Sequence, residues 1–235
     1  MMVNSQAIRF HAPGGPDVLR LEPVDLPDPG FGEVRLRQTA VGVNYIDTYH
    51  RTGLYPVPLP SGIGLEAAGV VKMVGPGVEG VAVGDRVAYC TAPIGAYATW
   101  RNFPAEMLFK IPDTVEDEQA ASIMLQGLTA WYLLRRTYAV KAGETVLFHA
   151  AAGGVGLIAC QWARHLGVRL IGTAGSPEKA ALARAHGAAE VILYRQQDVA
   201  ARVRELTGAR ACRWSMTVSA RIPGKARSTA SAHAA

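Results

Sequence analysis

The feature that most constrains this chain is a strict alternation of short apolar strands with helix-length segments between residues 145 and 208. TVLFHAA (145–151) reads as a strand, and GGVGLIACQWARHLG (153–167) reads as a glycine turn opening a helix. VRLIGTAG (168–175) is a second strand. SPEKAALARAHG (176–187) is a helix that Ser176 can cap, with Pro177 at its first position. EVILYR (190–195) is a third strand, and DVAARVRELTG (198–208) a third helix closed by Gly208. Strands joined by helices of this length demand parallel pairing, with helices covering the sheet.

The first 120 residues have a different texture. GEVRLRQTAVGV (32–43), GLEAAGVVKMVGPGV (64–78) and VAVGDRVAY (81–89) are strand-like and punctuated by Gly and Pro turns. Proline and glycine at this density disfavour long helices, so a compact β-rich domain is expected. EDEQAASIMLQGLTAWYLLRRTYAV (116–140) then reads as helical, with Asp113 or Thr114 able to cap its start. From residue 212 the periodicity stops.

Charge and cysteine usage exclude several classes. Of the formal net charge of +5, four units sit on Arg213, Arg221, Lys225 and Arg227 with no acidic residue among them, which leaves +1 for everything before. A nucleic-acid partner is therefore not expected. No run of eighteen apolar residues exists, so no membrane partner is expected, and the N-terminus carries no targeting pattern. Cys90, Cys160 and Cys212 are far apart and odd in number, which fits a reducing, cytoplasmic setting.

The strand-to-helix turn at 151–156 carries chemistry. Gly153, Gly154 and Gly156, with Ala152 and Val155 between and beside them, allow a tight turn and a close backbone approach by a diphosphate. The following helix supplies unpaired N–H groups and a positive dipole end. The spacing is A-x-x-G-x-G from Ala151, not G-x-G-x-x-G from the first glycine. The second strand ends Gly172-Thr173-Ala174-Gly175-Ser176, without the carboxylate that would grip the ribose hydroxyls of NADH. Lys179 follows within a helical turn, and Tyr194 and Arg195 end the third strand. Hydroxyls and cations without a carboxylate suit a 2′-phosphate, and hence NADPH.

GETVLFHAAAGGVGLIACQWAR (143–164) resembles the signature of the quinone oxidoreductases and zeta-crystallins, zinc-free members of the medium-chain dehydrogenase/reductase superfamily. VGVNYIDTYHRTGLYP (41–56), LPSGIGLEAAGVV (59–71), VGDRVAY (83–89) and LQGLTAWYLL (125–134) are similar to the same family, and the likeness runs from residue 5 to about 211. It implies an N-terminal GroES-like β-rich domain (1–124) and an α/β Rossmann-type, doubly wound parallel sheet (125–211) that is incomplete. The nicotinamide would lie in a cleft between them. Zinc-containing relatives place ligands near positions held here by Asn44, Leu65 and Leu125, none an ordinary zinc ligand, so no metal is expected. His50 and His149 are read as neutral structural or cleft residues.

The resemblance puts Asn44 and Asp47 at the nicotinamide end, with Tyr49 or Tyr55 lining it, and Thr129 against the nicotinamide region. Asn44 could donate to a quinone oxygen, and Asp47 could hold local geometry. Capping a helix at 45–50, a surface turn and an interhelix contact remain alternatives for Asn44, Asp47 and Thr129. The activity implied is NADPH:quinone oxidoreduction (EC 1.6.5 type) on a small quinone or related electrophilic carbonyl. An enone or enal reductase, or a non-catalytic or inactive NADPH-binding chain, remains open. Full-length members are expected to be homodimers and to continue for about a hundred further residues.

Residues 212–235 are expected to be an aberrant tail. Back-translation of RWSMTVS (213–219) admits a frame shifted by two bases that reads Val-Val-Tyr-Asp-Ser-Val, as the family's fourth strand would. The tail is therefore expected to be an out-of-frame reading that leaves only three strands and an unpaired parallel edge, with low solubility and little activity as consequences.

Overall fold

The computed structural model describes residues 3–208, 212 and 214–216, with the backbone alone at residue 214. The chain divides into two compact units, Met1–Leu125 and Gln126–Ala235.

The first unit begins with β1 (Val3–Phe10), β2 (Arg20–Leu26) and β3 (Glu33–Gly42), followed by one short helix, α1 (Tyr45–Arg51). It continues with β4 (Ser61–Gly62), β5 (Glu66–Val74), β6 (Arg86–Cys90), β7 (Trp100–Pro104) and β8 (Phe109–Lys110). These form a three-stranded sheet, β2-β1-β4, and a five-stranded antiparallel sheet, β7-β3-β5-β6-β8. The alternation in β3 and β5 sends Val34, Leu36, Ala67 and Val71 into one core with Val87, Tyr89 and Phe103. On the five-stranded sheet β5 is the central strand with β3 beside it, and their register sets Gly42 opposite Glu66.

Helix α2 (Asp117–Trp131) starts later than Asp113 or Thr114 would allow. Those two residues are spent in a turn closed by the Val115 N–H on the Pro112 carbonyl, and the Gln119 side chain instead accepts from the Glu116 N–H. The expected single helix to residue 140 also ends early, because Tyr132–Thr137 winds as a wider π-type segment.

The second unit contains β9 (Thr145–Phe148), α3 (Gly154–His165), β10 (Arg169–Ala174), α4 (Pro177–Ala185), β11 (Glu190–Leu193), α5 (Val199–Thr207) and β12 (Trp214–Met216). All pairings are parallel, in the order β11-β10-β9-β12. Val146, Phe148, Leu170 and Val191 point to a core shared with Ala159, Ala163, Ala180 and Ala183 of α3 and α4. Leu147, Ile171 and Ile192 face the other side, packed by Val199, Val203 and Leu206 of α5.

β12 corrects the expectation of only three strands, and among the described residues β12, paired with β9, is an outer strand of the sheet. Residues 214–216 pair with Val146–Phe148, Met216 is 1% exposed within the core, and the His149 N–H donates to the Met216 carbonyl at 2.9 Å. The physical reason is local. Trp-Ser-Met alternates apolar with polar and favours extended backbone, and the edge of β9 offers unsatisfied N–H and C=O groups. The reading of residue 213 and residues 217–235 as an out-of-frame tail lies outside the described residues.

Candidate functional site

In the first unit the polar residues of α1 gather beneath its N-terminus. Asn44 takes extended backbone angles at the N-cap, and its N–H donates to Asp47 Oδ2 at 2.9 Å. The Asn44 side chain also reaches β5: Nδ2 donates to Glu66 Oε2 at 2.6 Å. Glu66 Oε1 accepts from the Leu125 N–H at 2.7 Å, within α2. Asp47 is buried on the helix, not in a surface turn, and its Oδ2 also accepts from the Tyr97 hydroxyl at 2.8 Å. Among the described residues, three buried atoms here have no hydrogen-bond partner: Asp47 Oδ1, Tyr49 Oη and His50 Nδ1.

Burial sets the electrostatics. It pushes the Asp47 and Glu66 carboxyls above their usual range, against the pull of the hydrogen bonds each accepts. It pushes Tyr97 up as well, helped by the Asp47 charge, and holds His50 below the ordinary histidine value. The aromatic rings around α1 are linked. Tyr49 meets Tyr45 edge-on with centroids 5.3 Å apart, and Tyr55 at 5.2 Å. Tyr55 is tied back by its N–H on the Tyr49 carbonyl, and it and Tyr45 keep large exposed faces. Asn44, Asp47, Tyr49 and Tyr55 thus come together. Glu66 and Tyr97 join them without having been singled out as site residues. A lone carboxylate inside the apolar run GLEAAGVV was the one available signal, since burying it requires partners.

In the second unit the turn between β9 and α3 sits where the sheet order reverses, β10 lying on one side of β9 and β12 on the other. That is where open α/β sheets bind ligands. Gly153 and Gly154 expose their backbone, while Gly156 is buried. A Cβ on Gly156 would lie 2.5 Å from the Ala150 carbonyl oxygen, so this glycine lets the helix close onto the turn. The N-cap of α3 is Gly153, which has no side chain to accept from the first-turn N–H groups. α4 and α5, in contrast, are capped by Ser176 and Asp198. Bare amides beside exposed glycine backbone at the switch point fit a diphosphate.

The residues expected around a 2′-phosphate converge at the ends of β10 and β11. A Cβ on Gly175 would sit 2.7 Å from the Tyr194 hydroxyl and 3.6 Å from Arg195 Nε, so Gly175, Tyr194 and Arg195 adjoin. Ser176 Oγ accepts from the Lys179 N–H at 3.4 Å, and Lys179 is exposed. Glu178 also reaches Ser176, and this contact holds its carboxyl below the usual range, so one negative charge borders the cationic groups. Thr173 is buried. Its hydroxyl accepts from the Ala150 N–H at 3.2 Å and lies 3.3 Å from His149 Nδ1, supporting the turn from beneath. Thr129 lies half-buried on α2. Among the described residues no group of three or more His, Cys, Asp or Glu side chains is placed to hold a metal ion. Among them, too, no helix is long and apolar enough to cross a membrane.

Residues 30–113 match the alcohol dehydrogenase GroES-like domain, and residues 154–222 match the zinc-binding dehydrogenase family, a span that reaches beyond residue 211. The chain is 56% identical over 209 residues to a quinone oxidoreductase of Pseudomonas aeruginosa, covering 88% of this chain and 64% of that protein. It superposes on the Escherichia coli quinone oxidoreductase complexed with NADPH with a TM-score of 0.87 at 50% identity, covering 88% of this chain and 64% of that one. The chain belongs to the quinone oxidoreductase family of medium-chain dehydrogenases/reductases. Within reach of that family lies a 2-haloacrylate reductase from Burkholderia sp, 51% identical over 206 residues, covering 85% of this chain and 62% of that protein. The chain therefore spans somewhat less than two thirds of the length of these quinone oxidoreductase-family relatives.

Proposed function

We propose that this chain binds NADPH and delivers hydride from it to a small quinone without a metal. The observation that carries this reading is the glycine turn at the switch point, next to a strand end that lacks a ribose-gripping carboxylate. NADPH, when bound, supplies the hydride from its dihydronicotinamide ring. The first-turn amides of α3 with Gly153, Gly154 and Val155 receive the diphosphate, and Ala152 shapes the turn that presents them. Lys179, with Arg195, Tyr194 and Ser176, receives the 2′-phosphate. We assign Thr173 to holding the turn rather than to touching the ligand.

In the first unit, Asn44 offers an amide N–H toward a substrate oxygen as negative charge builds on it. Tyr49 and Tyr55 present aromatic surface for a planar ring, and Asp47 anchors the start of α1. Thr129 contacts the nicotinamide region. Hydride addition gives a quinol anion, and one proton from water completes the two-electron reduction. The likeness to a 2-haloacrylate reductase favours a second reading, hydride addition to an electron-poor alkene, which uses the same cofactor residues.

Titration of the 235-residue protein with NADPH and NADH tests the cofactor. Steady-state rates on benzoquinone, naphthoquinone, an aliphatic enone and 2-chloroacrylate test the substrate. Tighter NADPH binding with turnover on the quinones supports the proposal. Turnover on the alkenes alone moves the assignment to the second reading. Stoichiometric NADPH binding with no turnover on any of the four makes the chain a non-catalytic binder.

A further inference from the structure

We propose that Glu66 is a positioning residue that grips one N–H of the Asn44 carboxamide, leaving the other N–H of the same group to meet the substrate oxygen. This rests on the quinone-reductase reading above. Glu66 is 0% exposed and is the first residue of β5, the central strand of the five-stranded sheet. Its two oxygens are used by different segments: Oε2 accepts from Asn44 Nδ2 at 2.6 Å, and Oε1 accepts from the Leu125 N–H at 2.7 Å. The space is cut to the carboxylate. Gly42 lies opposite Glu66 in the β3–β5 register, and a Cβ there would overlap both the Glu66 carboxylate and the Ala121 carbonyl.

The chemistry of the surroundings is one-sided. These contacts are donors, so an ionised carboxylate satisfies them all. A glutamine has one acceptor oxygen and would turn its NH2 against either Asn44 or Leu125. Burying a carboxylate is also a poor way to gain stability, because desolvation offsets the hydrogen bonds. What the arrangement does supply is orientation. A carboxamide can flip, and a single N–H held against a fixed carboxylate removes that freedom. Among the described residues, the other ionisable groups facing Glu66 are Asp47 on α1, Cys90 on β6 and Tyr97, and none of these three donates a hydrogen bond to it.

The test is nuclear magnetic resonance on the 15N-labelled 235-residue chain, with kinetics beside it. The Asn44 side-chain amide is assigned by its disappearance in Asn44→Ala. In the parent the proton held by Glu66 should exchange with water more slowly than the other proton of the same amide, and in Glu66→Gln the two should exchange alike. Should Glu66→Gln not fold, the parent alone decides: the Asn44 amide shift must follow the ionisation of Glu66 read from its 13C carboxyl signal. Two amide protons that exchange alike in the parent, or an amide blind to Glu66, overturn the proposal. With benzoquinone and saturating NADPH, Glu66→Gln should lower kcat about tenfold or more, with NADPH affinity within about twofold. In the Asn44→Ala background it should lower kcat no further. Equal losses in both backgrounds make Glu66 a structural residue and sink the proposal. A parent chain with a pinned Asn44 amide but no quinone turnover overturns the proposed function and leaves the grip of Glu66 on Asn44 standing.

Discussion

Two glycines in one turn have different tasks, and substitution should separate them. A Cβ at Gly156 meets backbone, the Ala150 and Ala151 carbonyls at 2.5 and 2.6 Å, which cannot yield cheaply. Gly156→Ala should therefore cost about 1–3 kcal/mol in denaturant unfolding. At Gly154 the obstacle is the tip of the Gln126 side chain, which can swing away. Gly154→Ala should keep its stability and lose NADPH affinity, because the added methyl group displaces the Gln126 side chain at the turn proposed to receive the diphosphate. Similar stability losses for both would show that the turn is not built this way. His149 gives a pH signature. Burial holds it below the ordinary value near 6.5, so the unfolded chain accepts a proton that the folded chain resists. Stability is intact above about 6.5 and falls as pH drops through the lowered folded value. Thermal unfolding across this range should show a shallower acid loss in His149→Gln than in the parent. The glycine turn was legible in a short motif, and Asn44 and Asp47 were named as site candidates only through the family resemblance of the segment around them. Glu66 and Tyr97 were not, because their importance comes from partners 22 and 50 residues away.

At the scale of elements, β12 is the informative strand. Sequence periodicity identified β9, β10 and β11, since each is an apolar run bounded by glycine or a cap. A three-residue strand has too few positions to show a period, and its pairing with β9 is decided by what that edge lacks. The same limit applies to the end of α2, where residues that read as one helix change to a π-type winding. β12 can be tested through its central contact. Met216 is fully buried among Val146, Phe148 and the residues facing them, so Met216→Ala should destabilise the second unit by about 2–5 kcal/mol. Hydrogen exchange at the His149 amide, which donates to the Met216 carbonyl, should accelerate with it. A neutral substitution with unchanged exchange would mean that residues 214–216 do not pair with β9.

At the scale of the whole molecule, the fold class followed from two textures of sequence, one rich in turns and one alternating strand with helix, and the order β11-β10-β9-β12 is the common doubly wound order begun from its first strand. In the proposed function, cofactor choice rests on a balance of charge at one corner of that sheet. The end of β10 carries no carboxylate, yet the Glu178 carboxylate sits against Ser176, so the corner attracts a 2′-phosphate only if its cations outweigh Glu178. Arg195 adjoins Gly175, and Lys179 extends from the first turn of α4 into solvent. A cation meeting a phosphate dianion makes charge-assisted hydrogen bonds that a ribose hydroxyl cannot replace. Lys179→Ala should therefore weaken NADPH about ten- to a hundredfold. NADH, which has no phosphate there, should bind as before. Removing the opposing charge with Glu178→Gln should move NADPH affinity the other way, and in the double variant the two effects should partly cancel. Fluorescence titration of both cofactors against the four proteins reads this directly. Equal weakening of NADPH and NADH by Lys179→Ala would place Lys179 in the fold of α4 instead of at the 2′-phosphate, and would leave Arg195 as the cation on which the preference for NADPH depends.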